Sequence, residues 1–474
     1  MRVCLINPPW RANNDNIWLH IRGVNPPLGL LYLAAYLEKA KIEVDVVDFQ
    51  ISSWNWEEIE QKIKFLNYDF FGVTATTSIV HNAYQLCKII KRFHPLSKVI
   101  FGGVHATALP NEALDKEGID YVIRGEGEEA LFKLIQKEPL DDIVGLSYKK
   151  NGQYRHIKSA VAIPDLDVLP PPAYHKINLA NYRPAVGAYK RLPAISLLTT
   201  RGCVGKCTFC NSANIPLRVR SAENVFQEIE MLSKKYGIKE ISFYDDTFTV
   251  YHKNIERLCG LIIKNKLDLT WSCFARTDCV NLDLLKMMKR AGCHQVMYGI
   301  ESADLQILKN IKKNIDFKKN KQAVEITKKA GITVRCTFMF GSPGETEETI
   351  EDTIRYSMHL NPDIALYNIT TPYPGTEMFE WAKNSNYLIT ENWDDYDLSK
   401  PVMKLPTIDM QVLKQKYKQA FIRFYFRPKF IFKKIFSIRL LTDLPILIKG
   451  IKSMFSFLYL GGRGGFCKKF NEAS

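Results

Sequence analysis

The chain has 474 residues, of which 46% are hydrophobic and 24% charged. This length and composition predict two or three globular domains with full cores and exclude a disordered polymer. Eleven cysteines spread along so long a chain do not form the dense framework of a small disulfide-stabilised protein, so we expect the cytoplasm, where thiols stay reduced.

The net charge of +15 is concentrated at the C-terminus. Residues 411–474 contain 14 Lys/Arg and 2 Asp/Glu, a net of +12, which leaves +3 for the first 410 residues. The body therefore has no basic footprint for nucleic acid, and we expect no nucleic-acid partner. The first apolar run, Val3 to Ile6, is too short for a signal peptide, and no uncharged apolar run reaches the roughly 18 residues of a spanning helix.

Apolar segments that stop at prolines or glycines alternate with helical patterns through residues 1–150. In "PLGLLYLAAYLEKA", Leu30, Leu33, Ala34 and Leu37 share one helical face. The strand candidates are "VCLINPP", "VDVVDF", "DFFGVTAT", "KVIFGG" and "DYVIRG". This alternation predicts an α/β domain with a doubly wound, Rossmann-like parallel sheet.

Ligands of such sheets lie at the carboxyl ends of the strands. Here those ends read Asn7-Pro8-Pro9, Thr76-Thr77-Ser78, Gly102-Gly103 and Gly125-Glu126-Gly127. No G-x-G-x-x-G follows the first strand, which argues against a dinucleotide.

Residues 151–192 are rich in proline and lack periodicity, which predicts a connector laid over the surface. Residues 193–390 then repeat a strand–helix unit, as in the helix "AENVFQEIEMLSKKYG". Their strand candidates are "AISLLTT", "EISFYDD", "TWSCFAR", "HQVMYGI", "TVRCTFMFG" and "IALYNIT". Six such units predict a partial (β/α)6 barrel with its chemistry at the C-terminal strand ends. We expect residues 391–474 to form a C-terminal region with a helical tail.

Three cysteines follow the first barrel strand in "TTRGCVGKCTFCNSA". Cys203, Cys207 and Cys210 have the spacing C-x3-C-x2-C, and the nearest histidine, His175, lies in the connector. A structural zinc site needs four protein ligands, so it is the weaker alternative. Three thiolates with an open fourth position predict a [4Fe–4S] cluster whose remaining iron is reactive.

The pattern C-x3-C-x-aromatic-C, with Phe209 as the aromatic residue, resembles the signature of the radical S-adenosylmethionine (SAM) superfamily. The resemblance implies that the open iron chelates SAM and that an electron from the cluster cleaves SAM to a 5′-deoxyadenosyl radical. It also implies SAM contacts at successive strand ends, where each residue could instead cap a helix or make a turn. These are Asp245 or Asp246 for the amino group, Arg276 at the third strand end, Glu301 and Ser302 for the ribose or carboxylate, and Gly341 in a segment similar to the one beside the adenine.

An α/β domain followed by this barrel, with "FYDDTF" and "YPGTE", resembles the cobalamin-binding radical SAM class over about residues 1–390. The resemblance implies cobalamin on residues 1–150, with Ser78, Gly102 and Gly103 leaving room for its nucleotide tail. Glu126 lies in "RGEGEEAL", which resembles another family segment, so the resemblance makes it a further candidate contact of cobalamin. The cobalt-ligating motif Asp-x-His-x-x-Gly is absent after the first strand, so no histidine from this motif is expected on cobalt, and His105 is not interpreted as a ligand.

With both cofactors, the class implies methylation of an unactivated carbon. Ring closure or oxidation, as in the anaerobic magnesium-protoporphyrin monomethyl ester cyclase, is the first alternative. A tRNA methylthiotransferase and a non-catalytic membrane adaptor are further alternatives. The former would carry a second cysteine triplet, and the latter would leave the cysteine loop unexplained. A reductase such as flavodoxin or ferredoxin is the expected electron donor.

The tail interleaves aromatic and basic residues in "FIRFYFRPKFIFKKIFSIRLL". Phe432, Ile435, Phe436 and Ile438 form an apolar stripe, with Lys433, Lys434 and Arg439 beside it. This pattern predicts an interfacial helix on an anionic membrane surface, and hence a lipid or other hydrophobic substrate. A helical lid packed on the barrel is the alternative.

Overall fold

The computed structural model describes residues 1–10, 23–158, 162–185, 187–428 and 430–432. In the N-terminal part the sheet has the order β2-β1-β3-β4-β5-β6-β7. Its strands are β1 (Arg2–Asn7), β2 (Glu43–Asp48), β3 (Phe70–Thr74), β4 (Lys98–Gly102), β5 (Tyr121–Ile123), β6 (Leu146–Lys150) and β7 (Gln153–His156).

The first five strands pair in parallel, which agrees with the predicted doubly wound sheet. Helices cover both of its faces: α2 and α3 contribute to one core, and α1 and α6 to the other. The helices are α1 (Leu28–Lys39), α2 (Trp56–Lys64), α3 (Val80–Phe93), α4 (Val104–Ala108), α5 (Pro110–Leu114) and α6 (Glu128–Ile135).

An antiparallel hairpin that the sequence analysis did not predict extends this sheet. Strands β6 and β7 pair with each other and with β5 in antiparallel fashion. The hairpin straddles residue 150, so the sheet continues into residues assigned above to the connector. The residues of β7 are exposed and mostly polar, so the sequence shows no apolar pattern from which this hairpin could be predicted. An edge strand needs no apolar face.

The second sheet is parallel throughout, with the order β15-β14-β13-β12-β11-β8. Its strands are β8 (Ala194–Leu197), β11 (Glu240–Phe243), β12 (Thr270–Ala275), β13 (Cys293–Glu301), β14 (Thr333–Phe340) and β15 (Ile364–Ile369). These are the six predicted strands. A short hairpin, β9 (Thr200–Arg201) and β10 (Arg218–Val219), flanks the cysteine loop.

Helices cover the outside of this partial barrel. They are α7 (Ala222–Tyr236), α8 (His252–Lys264), α9 (Leu282–Arg290), α10 (Leu305–Asn310), α11 (Phe317–Lys329) and α12 (Glu347–Leu360). In α7, the Ser221 side chain caps the N-terminus, and Gly237 ends the helix with a φ of 68°. That left-handed conformation is accessible to glycine at little cost, so the predicted glycine stop has its physical reason.

The connector does more than cross the surface. Tyr174 is fully buried, and its hydroxyl donates to Glu228 on α7 at 2.6 Å. Near the barrel floor, the Gly187 carbonyl accepts a hydrogen bond from the Gln295 side chain at 3.0 Å. The connector, which was expected to lie on the surface, therefore contributes to the core. Its few apolar residues pack against residues that are distant in sequence, and the sequence pattern does not show such contacts.

In the part of the chain that the structure describes, two α-helices follow the barrel, α13 (Glu377–Asn384) and α14 (Met410–Tyr425). Leu413, Tyr417 and Phe424 of α14 are buried against the barrel, and Arg423 pairs with Glu351 of α12 at 2.6 Å. The first part of the predicted membrane tail is therefore a packed helix.

Most of the predicted interfacial stripe, Ile435, Phe436 and Ile438 with Lys433, Lys434 and Arg439, lies outside the described residues. Phe432 is described and is 62% exposed. Among the described helices, none combines the length and the apolar character needed to cross a membrane.

Candidate active site

The cysteine loop follows β8 and lies at the C-terminal end of the barrel. The Gly205 N–H donates to Cys203 Sγ at 3.3 Å. A Cβ at Gly205 would lie 3.5 Å from Cys203 Sγ and 3.7 Å from Cys207 Sγ, so two of the sulfurs face one small space. Two backbone hydrogen bonds anchor the loop. The Thr208 N–H donates to the Ile311 carbonyl, and the Thr208 carbonyl accepts from the Met378 N–H.

The donor set of this loop fits an iron–sulfur cluster. Burial raises the pKa of the Cys207 and Cys210 thiols, whereas the cations of Lys313 and Arg276 lower that of Cys207. In the described parts of the chain, no three His, Cys, Asp or Glu side chains meet around a single metal ion. Thiolates are the ligands that hold iron–sulfur clusters, and this loop supplies three of them.

Asp245, one of the two acids predicted for the SAM amino group, is occupied by the protein itself. Its carboxylate is 1% exposed and accepts the N–H groups of Thr199 and Thr200 at 2.7 and 2.6 Å. Both threonine hydroxyls also donate to it, each at 2.9 Å. Burial nevertheless raises the pKa of Asp245 to about 6. This residue holds the segment from which the cysteine loop begins.

Asp246 has a different environment. Its side chain is exposed, and it is close enough to Cys210 for its charge to raise the pKa of that thiol. Desolvation by the surrounding protein raises the pKa of Asp246, while a hydrogen bond with Ser212 opposes the shift. Of the two acids, Asp246 is the one that leaves its carboxylate open beside the cysteine loop.

Two cations lie beside the cysteine loop. Arg276 forms a bidentate ion pair with Asp278, with Nε 3.0 Å and Nη2 2.8 Å from its oxygens. Its Nη1 would be 3.4 Å from a Cβ at Gly205, which places the guanidinium against the loop. Lys313 Nζ lies 2.6 Å from Glu301 Oε1, and both side chains are buried.

The Glu301–Lys313 pair requires the unusual backbone of β13. Glu301 has a φ of 67°, at an irregularity in the pairing of β13 with β14. A Cβ at Gly299 would approach Glu301 Oε1 to 2.3 Å and Lys313 Nζ to 2.5 Å. Glycine at 299 therefore leaves the space in which the ion pair forms, and a larger residue would displace it.

Ser302, Gly341 and Phe209 have partners within the protein. The Ser302 hydroxyl lies 3.3 Å from Thr353 Oγ1 on α12. The Gly341 N–H donates to Glu345, and its φ of 87° favours glycine. Phe209 packs against the small apolar cluster that includes Ile311 and Met378. The predicted SAM residues thus separate into a group around the cysteines, namely Asp246, Arg276 and Glu301, and a supporting group.

In the first domain, Ser78, Gly102 and Gly103 lie together at the ends of β3 and β4, and all are partly exposed. Among the described residues, a Cβ at Gly102 would meet only the Ile123 carbonyl, at 3.8 Å, so these residues leave the position open. At Gly103, with φ 97°, a Cβ would lie 2.6 Å from the Ala75 carbonyl. Gly102 therefore leaves space at the end of β4, and Gly103 makes the turn that follows.

His105 does not reach this opening. It is completely buried, with Nδ1 3.2 Å from Thr77 Oγ1 and Nε2 3.6 Å from Glu112. Trp393, from the segment after the barrel, packs edge-on against its ring and donates to Glu112. His105 therefore belongs to the contact between the first domain and the C-terminal region.

Glu126, predicted to contact cobalamin, faces the barrel. Its two oxygens accept Arg218 Nη2 at 2.6 Å and Nη1 at 3.0 Å. The neighbouring Glu128 pairs with Arg201 at 2.6 Å. Both arginines belong to the hairpin that flanks the cysteine loop, so these pairs join the first domain directly to the cluster region.

Two residues of the site were missed by the sequence analysis. Lys313 lies in a lysine-rich stretch, where nothing distinguishes it from its neighbours. Glu345 lies in "FMFGSPGET", the segment that begins at the end of β14, but the sequence analysis selected only Gly341 from it. Its Oε2 accepts the N–H groups of Gly341 and Ser342, and burial raises its pKa to about 8. A glutamate three residues after a Gly-Ser turn is the signal that could have identified it.

Comparisons with known proteins agree with this arrangement. The radical SAM superfamily profile matches residues 197–357, and the B12 binding domain profile matches residues 17–135. The chain is 36% identical to an uncharacterized methyltransferase of Pyrococcus horikoshii, over 92% of this chain and 95% of that protein. It is 27% identical to the anaerobic magnesium-protoporphyrin IX monomethyl ester cyclase of Rubrivivax gelatinosus, over 91% and 78% of the two chains.

Among solved structures, the cobalamin-dependent S-adenosylmethionine radical enzyme OxsB, with aqua-cobalamin and SAM bound, has the same fold. Its TM-score is 0.73 at 17% identity, over 97% of this chain and 72% of that one. The chain is therefore an enzyme of the cobalamin-dependent radical SAM methyltransferase family, with a [4Fe–4S] cluster, S-adenosylmethionine and cobalamin as its cofactors.

Proposed function

We propose that the enzyme methylates an unactivated carbon of a hydrophobic small molecule. The observation that carries this proposal is the meeting of both domains at the cysteine loop. A Cβ at Gly375, in the loop after β15, would lie 2.9 Å from Ala108 Cβ of the first domain and 3.9 Å from Asn211 Oδ1 of the cysteine loop. Groups held by the two domains would therefore act on one substrate.

Each cofactor has candidate residues. Cys203, Cys207 and Cys210 would hold the cluster, and Asp246 the amino group of SAM, because its carboxylate is open whereas that of Asp245 is engaged. When bound, the cluster supplies the electron that cleaves SAM, and cobalamin supplies methyl-group transfer. Arg276 and Lys313 would place positive charge beside the cluster thiolates. Glu301, which pairs with Lys313, would contact the ribose.

In the first domain we propose Ser78 and Gly102 for the space that receives the nucleotide tail of cobalamin, with Gly103 forming the turn. The engagement of Glu126 by Arg218 supports a positioning role instead of contact with cobalamin. This ion pair would hold the two cofactor sites in a fixed relative position while the cluster binds to the cysteine loop.

A hydrophobic substrate is supported by the side chains inside the barrel. Phe274, Met297 and Leu366 are only partly buried, and none belongs to the core beneath the helices. We also propose that the enzyme is cytoplasmic, that it contacts an anionic membrane surface through the tail, and that flavodoxin or ferredoxin reduces it. Phe426 and Phe432, exposed where the basic tail begins, support the membrane contact.

Oxidative cyclisation is the second candidate, favoured by the similarity to the cyclase of R. gelatinosus. Anaerobic turnover with methyl-labelled SAM in cell extracts separates the two reactions. A methyltransferase passes label into an extracted product as well as forming 5′-deoxyadenosine. Formation of 5′-deoxyadenosine with an oxidised, unlabelled product would instead establish the cyclase type of reaction.

A further inference from the structure

The inner face of the barrel carries an arginine among apolar side chains. Along β14, Val334, Cys336 and Phe338 are buried in the core beneath the helices. Because successive side chains of a strand point to opposite faces, Arg335 and Thr337 point to the interior of the barrel. Both are only partly buried, so the interior is not filled at this level.

The strand register defines the layer to which Arg335 belongs. Arg335 lies beside Met297 of β13, and Met297 lies beside Phe274 of β12. The Phe274 ring packs edge-on against Tyr244, with ring centroids 5.3 Å apart. Asn25 of the first domain donates to the Tyr244 hydroxyl at 3.2 Å. The layer therefore combines aromatic and aliphatic surface with one guanidinium, and it reaches the domain proposed to carry cobalamin.

Arg335 has no acidic partner among the described residues. Its Nε is buried without a hydrogen-bond acceptor in that part of the chain. Desolvation lowers the pKa of its guanidinium, and the groups that oppose this shift are the hydroxyls of Tyr425 and Tyr244, not a carboxylate. By contrast, Arg201 pairs with Glu128, and Arg218 with Glu126.

An unpaired charge inside a protein is costly, since it loses water without gaining a counter-charge. A guanidinium retained under these conditions is suited to an anion that arrives with a ligand, because it binds carboxylate and phosphate in bidentate fashion.

We propose that Arg335 binds an anionic group of the methyl acceptor, which makes the substrate an amphipathic acid. Its carboxylate or phosphate contacts the guanidinium, and its apolar body lies against Phe274 and Met297. This inference rests on the proposed function, because it assumes that the barrel interior holds the acceptor. The inference restricts the proposed class of hydrophobic substrates to molecules with a negatively charged end.

The test measures binding of three eight-carbon probes to the full-length, anaerobically reconstituted protein by calorimetry. Octanoate and octyl phosphate carry the two candidate anions, and octanol is the neutral control. We expect at least one anion to bind the wild type about tenfold or more tightly than octanol, and the better anion identifies the carboxylate or the phosphate. R335M should abolish this preference, and R355M, which removes an exposed arginine on α12, should preserve it.

A second pair of variants tests the same interaction without substituting Arg335, in case R335M does not fold. M297E places a carboxylate beside Arg335 and should weaken anion binding far more than the uncharged M297Q, which loses only apolar contact with the probe. Equal affinity of octanol and both anions for the wild type would overturn the inference, as would unchanged anion affinity in R335M and M297E. Failure of methyl transfer in the labelled-SAM experiment would refute the proposed function and leave these binding results intact.

Discussion

Replacing Asp245 by asparagine and by alanine separates structural support of the cysteine loop from direct contact with SAM. Asp245 accepts four hydrogen bonds from Thr199 and Thr200. Asparagine can keep all four if the Thr199 hydroxyl turns to accept the new amide N–H. Alanine leaves two buried backbone N–H groups without partners, which costs about 2–6 kcal/mol of unfolding free energy. We expect D245N to retain the cluster and D245A to lose stability and iron.

The carboxylate also makes stability depend on pH. Burial raises the pKa of Asp245 from 3.8 to about 6, so the folded state holds this proton more tightly than the unfolded state. Wild-type stability therefore falls as pH rises through this window, by about 3 kcal/mol in total and about 2 kcal/mol between roughly pH 4.5 and 7. D245N lacks this ionisation, so its stability relative to the wild type should increase over the same interval.

Denaturant unfolding of the cluster-free proteins across this pH range measures the predicted difference. Iron, sulfide and SAM affinity are then measured after anaerobic reconstitution. If D245N folds like the wild type and carries the cluster but no longer binds SAM, the Asp245 charge itself contacts SAM and the structural role is refuted. A D246N variant with undiminished SAM affinity would count against Asp246 as the amino-group ligand.

Three further results are expected. Alanine at all three cluster positions should abolish iron and sulfide after reconstitution, and full cluster content would refute the assignment of Cys203, Cys207 and Cys210. G102F should fill the space at the end of β4 and exclude cobalamin while sparing the cluster; G29F, on an exposed face of α1 where a Cβ meets no described atom within 4 Å, is the matched control. Substitution of Gly103 is less informative, because a side chain there would strain the backbone and press on the Ala75 carbonyl. In flotation assays the full chain should rise with anionic vesicles at low salt, and a chain ending at Phe432, which keeps the packed α14 but loses most of the basic residues of the tail, should rise far less. Equal behaviour of the two chains would remove support for membrane contact by the tail.

The sequence by itself located the parallel strands of both sheets, because most of them are short, predominantly apolar segments that alternate with helical patterns. It also identified the cysteine loop, because the spacing of Cys203, Cys207 and Cys210 is local. Such features depend on residues that are close together in sequence, so they can be predicted from the sequence alone. The hairpin of β6 and β7 escaped prediction, because pairing at an exposed edge imposes no apolar pattern.

Only the tertiary structure decided the roles of the charged residues. Adjacent in sequence, Asp245 and Asp246 look equivalent, yet strand β11 ends so that one is buried under the threonines and the other faces the opening. Glu126 forms an ion pair with Arg218 across a domain boundary, whereas Arg335 has no acidic partner in the described chain. The energy of a charge depends on what lies within a few ångströms of it, and for these residues those neighbours are distant in sequence.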